Sequence, residues 1–237
     1  YFNYMKYNYT MKILIIFIAG IFSTNLVFGE IRPYFEGQIN YIDPDDVSTD
    51  TLAGNVSGID YLDTRIDFKH KSDTSPGFEF GLYNLFDNSN LRLGFSYTKS
   101  SINIDYETSS LSGAISQGML LLPEGVGITP ADYRAFGLNF EKNVKLYMLN
   151  AYYDFDFKNN FKPFIGLGLG LSDFDNTDDG NEFTYSGMIG ARYYFNEQVY
   201  VGGKFTHFSI EGPKDKMGLN YRDIDLYTGT LSVGLEF

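Results

Sequence analysis

His207 and Ser209 stand two residues apart, the spacing that puts both side chains on one face of an extended chain. A histidine beside a serine can take its proton and make it a nucleophile for ester hydrolysis, with an acid orienting the imidazole. Asp225, in the next extended segment, is the acid within reach. Carboxylates offer a second kind of chemistry. Asp43, Asp45, Asp46, Asp50, Asp60, Asp63, Asp67 and Asp73 crowd one polar stretch, and Asp173, Asp175, Asp178, Asp179 and Glu182 another. Such oxygen ligands suit Ca²⁺ and other hard divalent ions, including ions that bridge to lipid phosphates. The second stretch departs from the EF-hand spacing, because Gly180 falls two residues late and Thr177 occupies a ligand place. A solvated acidic surface is therefore the preferred reading, and no metal is assigned. His70 lies between Lys69 and Lys71 without a second histidine nearby to complete a metal pair. Gly166, Gly168 and Gly170 alternate along a segment instead of opening a helix, so they are not a phosphate loop. No cofactor follows from these residues.

Strands must position them. From Pro33 onward, apolar and aromatic residues recur at every second position, the period of a β-strand. Phe35, Gly37, Ile39 and Tyr41 alternate with Tyr34, Glu36, Gln38 and Asn40, and Ile165, Leu167, Leu169 and Leu171 alternate with Gly166, Gly168, Gly170 and Ser172. Eight such segments can be counted, an even number and the minimum for a closed transmembrane barrel. Short turns at 87–90, 158–160 and 196–198 alternate with connections of about 33, 45, 10 and 11 residues. That is the arrangement of outer-membrane barrels, short on the periplasmic side and long outside. The sequence thus predicts an all-β chain, an eight-stranded antiparallel up-and-down transmembrane β-barrel over 30–237, with long outer loops at 43–75 and 99–143.

The two faces differ as a bilayer demands, because nothing in lipid solvates a charge while a small lumen can hold polar groups that pair. The predicted inner face carries four acids, Glu36, Glu79, Asp154 and Glu236, and four bases, Arg92, Lys162, Arg192 and Lys204. The balance points to a neutralised network that plugs the interior. Phe157, Phe161, Phe195 and Tyr200 are expected to form an interfacial girdle. Within the second loop, Leu111, Ile115, Met119, Leu120, Leu121, Leu122, Val126 and Ile128 are too apolar for a freely solvated tip. They are expected to pack back on the barrel as a small satellite core, with a contact surface as the alternative, while the flanking strands extend through Ile102, Ile104 and Tyr106 and return through Phe136, Leu138 and Phe140.

Residues 1–29 read as a leader. Lys12 precedes an apolar run from Ile13 to Phe22, about half of the ~20 residues a spanning helix needs, followed by small residues that place signal-peptide cleavage before Glu30. Lys6 and Lys12 are the only charges before that point, so the net charge of −12 becomes −14 without them. Such acidity argues against a nucleic-acid partner, which needs clustered Lys and Arg. Cysteine is absent, which excludes disulfides and thiol chemistry.

The leader, the eight alternating segments and a last segment running Leu231, Val233, Leu235 and Phe237 resemble the small outer-membrane barrels of Gram-negative bacteria, the OmpA-like and Opa-like porin-family group. The resemblance implies that Tyr227, Leu231, Val233, Leu235 and Phe237 form the assembly signal read by the barrel-assembly machinery. It also implies contact with outer-membrane lipid and lipopolysaccharide, and loops that meet an extracellular partner. His207 and Ser209 resemble the histidine and serine of the lipid A deacylase barrels, although Ile210 stands where that family has asparagine. Three functions are thereby set against one another: a structural and surface-interaction barrel, which is preferred and would not be an enzyme; a narrow porin or small-solute channel; and a lipid A acyl hydrolase.

Overall fold

The computed structural model describes residues 31–56, 58–84, 90–104, 109–118, 120–122, 142–157, 159–175, 181–214 and 220–237. The leader and the segment with Val126, Ile128, Phe136, Leu138 and Phe140 lie outside them, as do Tyr106 and Met119. Fourteen strands follow in order: β1 (Arg32–Pro44), β2 (Val47–Ser48), β3 (Leu52–Val56), β4 (Ile59–Phe68), β5 (His70–Lys71), β6 (Asp73–Tyr83), β7 (Leu91–Ile104), β8 (Ser110–Gln117), β9 (Leu120–Leu122), β10 (Lys142–Asp154), β11 (Phe161–Phe174), β12 (Glu182–Tyr194), β13 (Val199–Ile210) and β14 (Ile224–Glu236).

The long strands β1, β6, β7, β10, β11, β12, β13 and β14 pair antiparallel, each with the next, and β14 pairs with β1 to close the ring. Closure leaves no free edge, which is the state a bilayer requires of a sheet. Short turns close one end. In the β12–β13 turn the Asn196 carboxamide oxygen accepts from the backbone N–H of Gln198 at 2.9 Å and of Val199 at 2.7 Å, a local substitute for ladder bonds.

Alternation sorts the faces. Leu231, Leu167 and Ile39 are 73%, 72% and 62% exposed on the outer surface, whereas Arg92, Arg192 and Glu79 inside are no more than 2% exposed. A water-soluble barrel would invert that order. Phe157, Phe161 and Phe195 are exposed near the short turns, as a girdle requires. Tyr200 corrects the girdle expectation: it is fully buried and points inward, because its even position on β13 shares the face of Lys204 and Thr206.

The long connections are folded too. β2, β4, β8 and β9 form a second sheet, with β3 on β4, so the two longest loops share one structure. Ile59, Tyr61, Ile66, Phe68, Leu111 and Ile115 are buried on it, while Leu121 is 62% exposed; Leu111 and Ile115 thus lie in a sheet shared with the first loop, where packing back on the barrel was expected. At the bulge between Leu62 and Arg65, Asp63 takes φ 44° opposite Gly113 at φ 77°. The last long connection is stitched to the first. Asp45 N–H donates to the Asp225 carbonyl at 2.8 Å, Asp50 N–H to Asn220 at 3.0 Å, and Arg222 N–H to Ser48 at 3.1 Å.

Candidate functional site: a closed lumen and a polar rim

The lumen is organised around Glu79 on β6. Its carboxylate accepts from the Tyr34 hydroxyl at 2.6 Å, the Tyr152 hydroxyl at 2.7 Å and the Asn150 amide at 3.2 Å. It also lies 3.3 Å from Lys204 Nζ and 3.4 Å from Arg92 Nη1. Arg92 is in turn 3.4 Å from Asp154, which holds Arg192 at 2.7 Å. The guanidiniums stack on rings as well: Arg92 lies 3.7 Å from the Tyr152 centroid, and Arg192 4.7 Å from that of Tyr83. Arginine suits such packing, because its planar group is weakly hydrated on its faces.

Five of the eight residues predicted for the interior network meet there: Glu79, Arg92, Asp154, Arg192 and Lys204. The other three point inward but are held differently. Glu36 accepts from Tyr200 at 3.0 Å and Gln38 at 2.9 Å, and Glu236 from Tyr194 at 3.1 Å, with no cation in ion-pair reach of either among the described residues. Lys162 lies over the Tyr194 ring at 4.7 Å and makes no ion pair among the described residues. Four acids against four bases thus do not pair one to one. The partners that sequence reasoning missed are the inward tyrosines, Tyr34, Tyr152, Tyr194 and Tyr200. Strand parity was the available signal, since each shares a face with a buried charge.

Toward the long loops the same inward face turns apolar. Ile102, Val144, Leu146, Phe174, Ile210, Ile224 and Leu226 come together there, and Val47 of β2 inserts from above, with Phe208 and Tyr221 packed against the cluster. A hydrophobic stopper therefore caps the lumen above the ion network. Between the two lies a space of about 20 Å³ beside Asn40, Asn150, Lys204 and Thr228. That is room for little more than a water.

On the outer wall, the apolar belt ends at a polar rim. His207 and Asp225 face outward there, and His207 Nε2 lies 3.2 Å from Asp225 Oδ1 while its ring stacks on Tyr227 at 5.0 Å. Ser209 is directly opposite Asp225 in the ladder but only 7% exposed, and its hydroxyl makes no hydrogen bond to His207. Two of the three residues expected to converge are joined; the nucleophile is not. Asp173 and Asp175 both lie beside Lys145, at 3.1 and 3.8 Å, and Asp178 and Asp179 lie outside the described residues. Tyr227, Leu231, Val233, Leu235 and Phe237 all point to the outer surface of β14 and its end.

The sequence profile of the outer membrane protein beta-barrel domain matches residues 30–237. The chain belongs to that family. As an outer membrane barrel, it presents its apolar belt to lipid and its ion network to the lumen. No curated protein matches the chain. Among solved structures it is similar to Neisserial surface protein A (14% identity, TM-score 0.45, covering 86% of this chain and 95% of that one). It is also similar to the outer membrane protein OprG of Pseudomonas aeruginosa (18%, 0.47, 87% and 95%) and to the outer membrane protein AlkL in lipid bilayers (13%, 0.49, 91% and 94%).

Proposed function

We propose that this outer membrane barrel is a closed structural scaffold whose work is done by the folded crown at its long-loop end, which faces outside and meets extracellular partners. The observation that carries this reading is the double closure of the lumen, by the Glu79-centred network and by the stopper into which Val47 inserts. A solute would have to separate buried ions and then displace packed side chains, and eight strands leave no spare width for a path around them. A narrow porin is disfavoured for the same reason. Purified protein in planar bilayers is expected to give no large, stable conductance steps; such steps would refute the reading.

A lipid-acting ester hydrolase is the second reading, favoured by the His207–Asp225 contact on the lipid-facing wall at 3.2 Å. Mass spectrometry of lipid A from cells expressing the wild type or Ser209→Ala decides it. Loss of an acyl chain with the wild type alone supports hydrolysis, and identical acylation removes it.

A further inference from the structure

Lys99 of β7 and Lys145 of β10 are direct cross-strand partners, and both face outward at the end of the apolar belt. Like charges placed opposite each other on a sheet destabilise it. Lys145 is relieved by the next strand, where Asp173 and Asp175 lie 3.1 and 3.8 Å from its Nζ. Lys99 has no such relief: its side chain is exposed, and no carboxylate among the described residues is in ion-pair reach. One row toward the belt, Tyr97 and Tyr147 are also cross-strand partners, with ring centroids 5.2 Å apart, and Phe78 extends the row at 5.5 Å from Tyr97. Rings topped by ammonium groups suit the boundary of a bilayer. Aromatics sit there at headgroup level, and lysine stems run along apolar surface to bring their charge to the phosphates.

We propose that Lys99 and Lys145 bind the phosphate of a glycolipid headgroup in the leaflet at the long-loop end. A phosphate supplies the negative charge that Lys99 lacks, and lysine accepts it from a range of directions because its ammonium is a compact point charge. Lys145 is shared between the phosphate and the carboxylates of Asp173 and Asp175, which keep it from repelling Lys99 when the site is empty. The aromatic row gives the first part of the lipid a flat apolar surface beneath the phosphate. The choice of leaflet rests on the orientation proposed above; the lysine pair and its chemistry do not.

The test uses the full-length protein in nanodiscs, with lipid A and its dephosphorylated form as probes and retention measured by native mass spectrometry. Phosphorylated lipid A is expected to be retained about fivefold or more over the dephosphorylated form, the scale of one lysine acting on an anionic lipid. Added salt shrinks the preference, Lys99→Gln removes most of it, and Lys99→Arg keeps it. Equal retention of the two lipids overturns the proposal, as does an unchanged preference in Lys99→Gln/Lys145→Gln. Displacement of the lipid by inorganic phosphate at equal concentration also overturns it, in favour of a free-phosphate site. Both lysines lie outside the packed interior, and heat-modifiable gel migration checks that each variant is folded. Protease accessibility of the long loops in intact cells reads the orientation independently, so its failure is distinguishable from failure of the lysine site.

Discussion

Replacing Glu79 by glutamine keeps the shape of the side chain and removes one buried charge. Lys204 Nζ lies 3.3 Å from that carboxylate, a gross attraction of about 5 kcal/mol at an effective dielectric of about 20. Arg92 has Asp154 at 3.4 Å to fall back on, but Lys204 has no second acid in ion-pair reach among the described residues. Leaving one member of a buried pair uncompensated costs about 3–5 kcal/mol. Lys204 is 11% exposed along its side chain, so the lower end applies. The expected result for Glu79→Gln is therefore a loss of about 3 kcal/mol, read as a shift in the denaturant midpoint of the barrel in lipid vesicles with circular dichroism. Glu79→Gln/Lys204→Met is expected to recover about 1–3 kcal/mol of that loss, because no ammonium is then stranded and apolar replacements of buried pairs are close to neutral. A single variant within about 0.5 kcal/mol of wild type would refute the reasoning, since surface substitutions alone produce changes that small. So would a double variant less stable than the single one.

Glycines on the two faces separate lumen packing from lipid contact: a Cβ at Gly94 would lie 2.7 Å from Glu79 Oε1, whereas one at Gly203 meets nothing within 4 Å. Gly94→Ala is expected to cost about 1–3 kcal/mol and Gly203→Ala to stay within about 0.5 kcal/mol of wild type in the same denaturant titration. His70 donates from Nδ1 to the Asp45 carbonyl at 2.9 Å, and burial holds its pKa below the ordinary 6.5 against the pull of Asp46 and Asp45. Because the folded form favours neutral imidazole, this contribution is full above 6.5 and is lost as the pH falls through the lowered folded value. Protection factors of the amides in residues 45–50, taken relative to the intrinsic exchange rate at each pH, are expected to fall on acidification in the wild type and to depend less on pH in His70→Gln. Phe237→Ala is expected to lower outer-membrane insertion, measured as the heat-modifiable fraction in membrane preparations.

Parity made the barrel legible in the sequence. Because side chains alternate along a strand, Phe35, Ile39, Leu167 and Leu231 could be assigned to one wall and Glu79, Arg92 and Arg192 to the other without knowing a single contact. Parity says nothing about height, and what it missed follows from that. Ile102, Leu146 and Leu226 share the inward face of the ion network, yet they lie above it and pack with one another. Tyr200 was assigned to the girdle from its place near a strand end, but its face decided the matter, and its hydroxyl serves Glu36. The second sheet was out of reach for another reason. β4 and β8 come from different loops, and a pairing across that distance leaves no local period to detect.

Height also explains how the crown is joined to the barrel. Val47 lies in the first long connection, yet it completes a cluster whose other members come from β7, β10, β11, β13 and β14. Three residues later, Asp50 bonds Asn220, so the chain that inserts the stopper is tied at once to the connection leading into β14. Asp45 closes the circuit, bonding the Asp225 carbonyl through its amide and His70 through its carbonyl. Val47 belongs to the apolar cluster and makes no contact with the ion pairs below, so its removal would open the cluster without breaking any of them. Glu79→Gln should accordingly weaken the fold while leaving the lumen closed to conductance, whereas a charged residue at Val47 should loosen the crown with little effect on the unfolding of the barrel.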